Sequence, residues 1–126
     1  MSENEISRIV VQIAFEIHSK LGPGLFESAY ETIMEDELIH NYHLKVSRQS
    51  PLPVIWKAKK LDLGFRVDLI IENKCIVEIK SIESIANVHY KQVLTYLRLS
   101  NVKLGLLINF NEEIIKTGIR RVVNGL

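Results

Sequence analysis

The chain has 126 residues, which suits one domain over 1–126 and leaves no room for a second with its own core. Hydrophobic residues make up 47% and charged residues 25%, so wholesale disorder is not expected. Sixteen basic against fifteen acidic side chains leave a net charge of +1, which excludes a polybasic nucleic-acid binder of the histone kind. That total hides three blocks: residues 1–40 carry −6, 44–66 carry +5 and 67–126 carry +2. The lone cysteine, Cys75, excludes an intrachain disulfide and a cysteine-based metal cluster, and a reducing, cytoplasmic setting is expected. Residues 1–5 lack the basic start and apolar core of a signal peptide. No apolar run approaches the ~18 residues of a membrane span, so no membrane contact is expected.

Ile6, Ile9, Val10, Ile13, Ala14, Ile17 and Leu21 recur at steps of three and four, which predicts an amphipathic helix over 4–20. Gly22-Pro23-Gly24 ends it. A second helix is expected over 25–41, with Phe26, Tyr30, Ile33, Met34 and Leu38 inward and an acidic face at Glu31, Glu35, Asp36 and Glu37. Leu44 to Trp56, interrupted by Pro51 and Pro53, suits an irregular or edge strand, and 57–59 a turn. Strands are expected over 61–71 and 75–80, joined by a tight loop at Glu72-Asn73-Lys74. Residues 84–99 return to helical spacing, 103–110 form an almost continuous apolar strand, and 114–123 suit a last strand around Gly118.

The chemistry lies in the hairpin. Along 75–80, side chains alternate, so Cys75, Val77 and Ile79 face one way and Ile76, Glu78 and Lys80 the other. A carboxylate and an ammonium in an apolar strand are costly if buried unpaired. A three-residue loop at 72–74 makes the pairing symmetric about Asn73, which sets Asp68 opposite Glu78, about 5 Å apart at Cβ on one face. A two-residue loop would put them on opposite faces. Two facing carboxylates repel and suit a divalent cation with hard oxygen ligands. Such a metal activates water and stabilises charge at phosphorus, and a neighbouring lysine can act on the phosphate or the water. Asp68, Glu78 and Lys80 together are a minimal kit for phosphodiester hydrolysis.

Asp68 followed by Glu78-Ile79-Lys80 resembles the D…ExK motif of the PD-(D/E)xK nuclease superfamily. Gly24-Leu25-Phe26-Glu27-Ser28-Ala29-Tyr30 resembles the pattern that names the GxxExxY family within it. The likeness runs from Ile6 to Leu126 and includes Gly64-Phe65-Arg66, Val88-His89-Tyr90-Lys91-Gln92 and Gly105-Leu106-Leu107-Ile108-Asn109-Phe110. It implies an α/β (α+β) restriction-endonuclease-like fold, a central mixed sheet flanked by helices, in the order α-α-β-β-β-α-β(-β). It also implies that Asp68 and Glu78 ligate Mg²⁺ (or Mn²⁺), with the Ile79 carbonyl. Lys80 would orient or polarise the attacking water, Glu27 would reach the metal directly or through water, and Gln92 would join the site from its helix, one turn before Tyr96. The implied partner is nucleic acid, DNA first, with Lys57, Lys59, Lys60 and Arg66 on the approach to Asp68 meeting the phosphate chain. A homodimer or partner protein could supply more surface. The alternative is a catalytically silent nuclease-like binding or assembly module.

Plainer readings stand beside these. Glu78 and Lys80 could be a surface pair worth under ~1 kcal/mol. Glu27 and Tyr30 could be a helix face with a packed tyrosine. His89 reads as structural, His18, His40 and His43 as surface or capping residues, Tyr96 as packing and Cys75 as core.

Overall fold

The computed structural model describes all residues 1–126. Helix α1 spans Glu3–Leu21 and α2 spans Glu27–His40. The strands are β1 Val46–Pro51, β2 Val54–Trp56, β3 Lys59–Leu61, β4 Arg66–Ile71 and β5 Cys75–Lys80; α3, Asn87–Ser100, leads to β6, Leu104–Asn109. A 3-10 turn at Ile115–Gly118 then precedes β7, Ile119–Val123. No helix is long and apolar enough to cross a membrane.

A capping box opens α1: the Glu5 amide donates to Ser2 Oγ at 3.2 Å, and the Ser2 amide donates to Glu5 Oε1 at 3.3 Å. Gly22, at φ 68°, ends the helix. The second helix starts two residues later than its periodicity suggests, because the preceding loop is held by tertiary bonds. Tyr30 Oη donates to the Gly22 carbonyl at 2.6 Å and accepts from the Leu25 amide at 3.2 Å.

The main sheet has the order β1-β4-β5-β6-β7. Its only parallel pair is β5–β6, joined over α3, since parallel neighbours need a long crossover. Both central strands are buried along nearly their whole length, which explains their apolar runs. The helices α1 and α2 cover one face, over Leu69, Ile71, Cys75, Val77, Ile79, Leu104, Leu106 and Ile108. On the opposite face α3 covers Val67, Ile76, Leu107 and Val122. Gly105 lets α3 sit close: a Cβ there would come within 2.6 Å of Val93 Cγ1. The mixed sheet between helices is the expected fold class.

The order carries two strands more than expected, because the supposed edge strand and the strand after it are each divided. Pro51 ends β1, and the chain continues past Pro53 into β2; β2 and β3 form a separate two-stranded ribbon. Its turn is Lys57-Ala58, both at positive φ (48° and 65°), rather than 57–59. The expected strand 61–71 breaks at 62–65 and resumes as β4. The first half of the expected strand 114–123 is a 3-10 turn.

Candidate functional site

The hairpin has the register of the three-residue loop: Ile71 pairs with Cys75, Ile70 with Ile76 and Leu69 with Val77. Glu72 and Asn73 take positive φ (53° and 55°), and the Lys74 amide donates to the Ile71 carbonyl at 2.9 Å. Asp68 and Glu78 are the next pair in that register, and there the regular ladder stops. Side chains replace it. The Asp68 amide donates to Glu78 Oε1 at 3.2 Å, and the Ile79 amide donates to Asp68 Oδ2 at 2.8 Å. Each carboxylate thus accepts from the strand that bears, or adjoins, the other. In a strand the amide and carbonyl of one residue point to the same side. The Ile79 carbonyl therefore faces the gap between β4 and β5.

The gap coincides with a twist in the outer strand pair. Leu69 and Ile71 belong to the α1/α2 face, yet Val67 packs on the α3 face, so strict alternation ends at Asp68. Gln49, the β1 residue opposite Asp68, lies at φ 50°. Its Nε2 donates to Asp68 Oδ1 at 3.0 Å and to Glu31 Oε1 at 2.8 Å. Glu31 also accepts from Arg48 Nε at 3.1 Å, and Arg48 reaches Glu35 at 3.5 Å. Neither Gln49 nor Glu31 was legible as a site residue. The one available signal was register, since a β1 in step with β4 sets Gln49 against Asp68.

Glu78 is only 3% exposed. Burial first, and the Asp68 carboxylate second, push its acid up to about 8. Near neutral pH without a cation it is therefore largely protonated. Tyr96, from α3, is also pushed up, by burial and then by Glu78 and Asp68, which places it within electrostatic reach of both. It packs against Phe65, with ring centroids 6.0 Å apart. Lys80 is half-buried and makes no ion pair within 4.0 Å. By alternation it follows Glu78 on the same face.

Glu27 arrives from the other side. It is the first residue of α2, where the helix dipole favours an acid. Its Oε2 accepts from the Ser81 amide at 2.9 Å, and Ser81 Oγ donates to the Leu25 carbonyl at 2.8 Å. Tyr30 fixes this entry, stacked on Phe110 at 4.3 Å between centroids and 7° between planes. The Gly24…Glu27…Tyr30 pattern is thus a loop clamp that delivers Glu27 to the Ser81 amide, one residue past Lys80. Asn109, fully buried, holds the following turn by bonding both polar backbone groups of Ile82, at 3.1 and 3.0 Å.

The remaining expectations divide. Gln92 is exposed on α3, one turn before Tyr96. His89 Nδ1 accepts from the Ala86 amide at 2.9 Å, a structural role. His18 is not simply a surface residue: its Nε2 lies 2.6 Å from the Glu112 carbonyl, tying α1 to the turn after β6. The bases do not form one free face. Arg48 is held by Glu31 and Glu35, and Arg66 by Asp62 at 3.5 Å, while Lys57, Lys59 and Lys60 ride on the ribbon.

The oxygens around the gap meet the needs of a divalent cation. No three His, Cys, Asp or Glu side chains converge as a metal cage. Two carboxylates and a carbonyl facing one gap are all hard oxygens, and Mg²⁺ commonly takes one or two carboxylates with waters. The raised pKa of Glu78, a weakened acid beside Asp68, marks a place where a cation would relieve repulsion. The set fits a hydrated hard cation.

A family model described as the PD-(D/E)XK nuclease superfamily matches residues 4–122. No curated protein sequence matches significantly. Among solved structures, the crystal structure of SSO0001 superposes with a TM-score of 0.54 at 20% identity, over 90% of this chain. The chain spans 62% of that protein's length, and the likeness is one of fold.

Proposed function

The chain belongs to the PD-(D/E)XK nuclease superfamily, whose members generally use divalent metals, and from that premise we propose a Mg²⁺-dependent nuclease that hydrolyses phosphodiester bonds of DNA. One observation carries the reading: across the gap where β4 leaves β5 the Asp68 amide donates to the Glu78 carboxylate and the Ile79 amide to the Asp68 carboxylate, and Lys80 follows on the same strand.

In this reading Asp68, Glu78 and the Ile79 carbonyl would hold the cation, and Glu27 would reach it directly or through a water. When bound, a divalent ion supplies Lewis-acid polarisation of the phosphodiester and a more acidic water. Lys80 holds that water in line by its ammonium, a point charge with three donors. Gln92 offers an amide to the substrate at the rim. Support for the GxxExxY branch comes from the clamp at Gly22–Tyr30, which gives the glutamate and tyrosine of that pattern separate tasks.

The test is cleavage of single-stranded, double-stranded and branched DNA and RNA, with and without Mg²⁺ or Mn²⁺. Metal-dependent cleavage lost in Lys80→Ala and Glu78→Ala supports the mechanism. Absence of cleavage by the wild type on every substrate, or variants as active as it, overturns it. A second reading is binding without turnover, since a chain of 126 residues has little surface beyond its core with which to grip DNA. It gives salt-sensitive DNA binding with no products under any metal.

A further inference from the structure

The β2–β3 ribbon is unlike the rest of the molecule. It pairs with no other strand, and Ile55 and Trp56 stand 63% and 62% exposed. Single exposed apolar side chains are ordinary on a protein surface; what sets Trp56 apart is the charge around it. Trp56 pairs across the ribbon with Lys59, and Lys57 Nζ lies 5.8 Å from its ring centroid. One ammonium therefore lies over the indole, and a second lysine stands opposite it on the partner strand. Lys60 pairs with Ile55 on the other face. Residues 54–61 contain no acid, and the nearby Asp62 is held by Arg66 and the Gly64 amide. The ribbon carries three uncompensated positive charges.

The ribbon also grows from the end of the β1–β4 pair that bears Asp68. Pro51 pairs with Arg66, and the Leu52 amide donates to the Phe65 carbonyl at 3.0 Å just before the ribbon begins. Eight residues separate Gln49, opposite Asp68, from Lys57 at the tip. At ~3.3 Å per residue the tip lies at most about 26 Å from the carboxylates. That equals roughly eight stacked nucleotides of one strand.

We propose that the β2–β3 ribbon is a second nucleic-acid contact in which Trp56 stacks on an unpaired base while Lys57 and Lys59 meet the adjoining phosphates. This rests on the nucleic-acid reading above and names its substrate class: DNA with a single-stranded segment on the β1/β4 side of the carboxylates. A flat indole beside an ammonium matches the two parts of an unpaired nucleotide, a π-face and an anion. Bases in an intact duplex are stacked on each other and do not offer their faces.

Trp56 is the sole tryptophan, so its emission reports on this contact alone. The full chain, with chelator present to prevent cleavage, is titrated with oligothymidine, a blunt duplex and heparin. Anisotropy of dye-labelled oligothymidine is followed in parallel. The expected result is quenching by oligothymidine, little by duplex or heparin, and about ten-fold weaker single-strand binding in Trp56→Ala that Trp56→Phe restores. Anisotropy that shows binding without a change in emission overturns the stacking proposal and leaves the nucleic-acid reading standing. Equal quenching by heparin or duplex overturns it too, as does emission that shifts with protein concentration alone, which marks a contact between copies. No oligonucleotide binding at all removes both.

Discussion

The two ends of the β4–β5 hairpin are built from the same two strands and behave as opposites. At the closed end Ile71 meets Cys75, the turn is sealed by the Lys74 amide, and Glu72 ties in β1 through its amide and carboxylate to Lys45. The paired side chains there, Ile71 and Cys75, are apolar and fully buried. Three pairs further along, the ladder gives out, and two acids hold the strands by their oxygens. The closed end supplies stability. The open end gives some of it up, since a buried acid beside another is a costly neighbour. One hairpin thus joins a rigid anchor to a strained site, and the short span between them keeps the site in register.

This contrast can be broken from either end. The largest effect is expected at Lys80→Ala, with cleavage slowed roughly 10²–10³-fold and thermal unfolding nearly unchanged; single-turnover rates and melting curves check both. Ile71→Ala, at the closed end, reverses the pattern. It should cost about 3 kcal/mol in denaturant unfolding through the cavity it leaves, with the reaction rate of the folded fraction preserved.

The open end has a pH dependence of its own. In the folded chain the Glu78 acid is pushed up to about 8, above the ordinary 4.5 of a free glutamate. Between those values the folded chain binds a proton that the unfolded chain does not. Stability is therefore fully present below about pH 4.5 and falls as pH rises through 8, by on the order of a few kcal/mol. Glu78→Gln keeps an acceptor for the Asp68 amide and should flatten this fall while abolishing cleavage. Saturating Mg²⁺ should flatten it in the wild type. Urea midpoints at pH 5, 7 and 9 decide the matter, and a midpoint that rises toward alkaline pH would sink the assignment. The smallest effect is expected at Gln49→Ala, where an exposed amide bond to Asp68 is lost. A few-fold drop in cleavage and under ~1 kcal/mol in stability are expected, both measured against wild type.

Much of this hairpin was legible from residue order alone. Period-two alternation left loop length as the one open choice, and the three-residue loop sets Asp68 against Glu78, because register in a hairpin is counted outward from its turn. The periodicity of α1 was equally plain, since five of its apolar positions are buried on one stripe. The ribbon was hidden because its strands are three residues long and carry lysines where alternation is sought. Tyr30's clamp was hidden because its partners, Gly22 and Leu25, are backbone groups with no residue-type signal. The charge blocks misled in part. Arg48 belongs to the basic block and Glu31 and Glu35 to the acidic one, and they cancel across space.

The thiol of Cys75 lies at the closed end, fully buried and pushed up to about 12 by that burial. A thiol in that state does not react with alkylating reagents while the fold is shut. With no other cysteine to compete, its labelling rate is a clock for the opening of this one ladder end. Run alongside DNA cleavage, it times how often the anchor lets go, in units of protection rather than of catalysis.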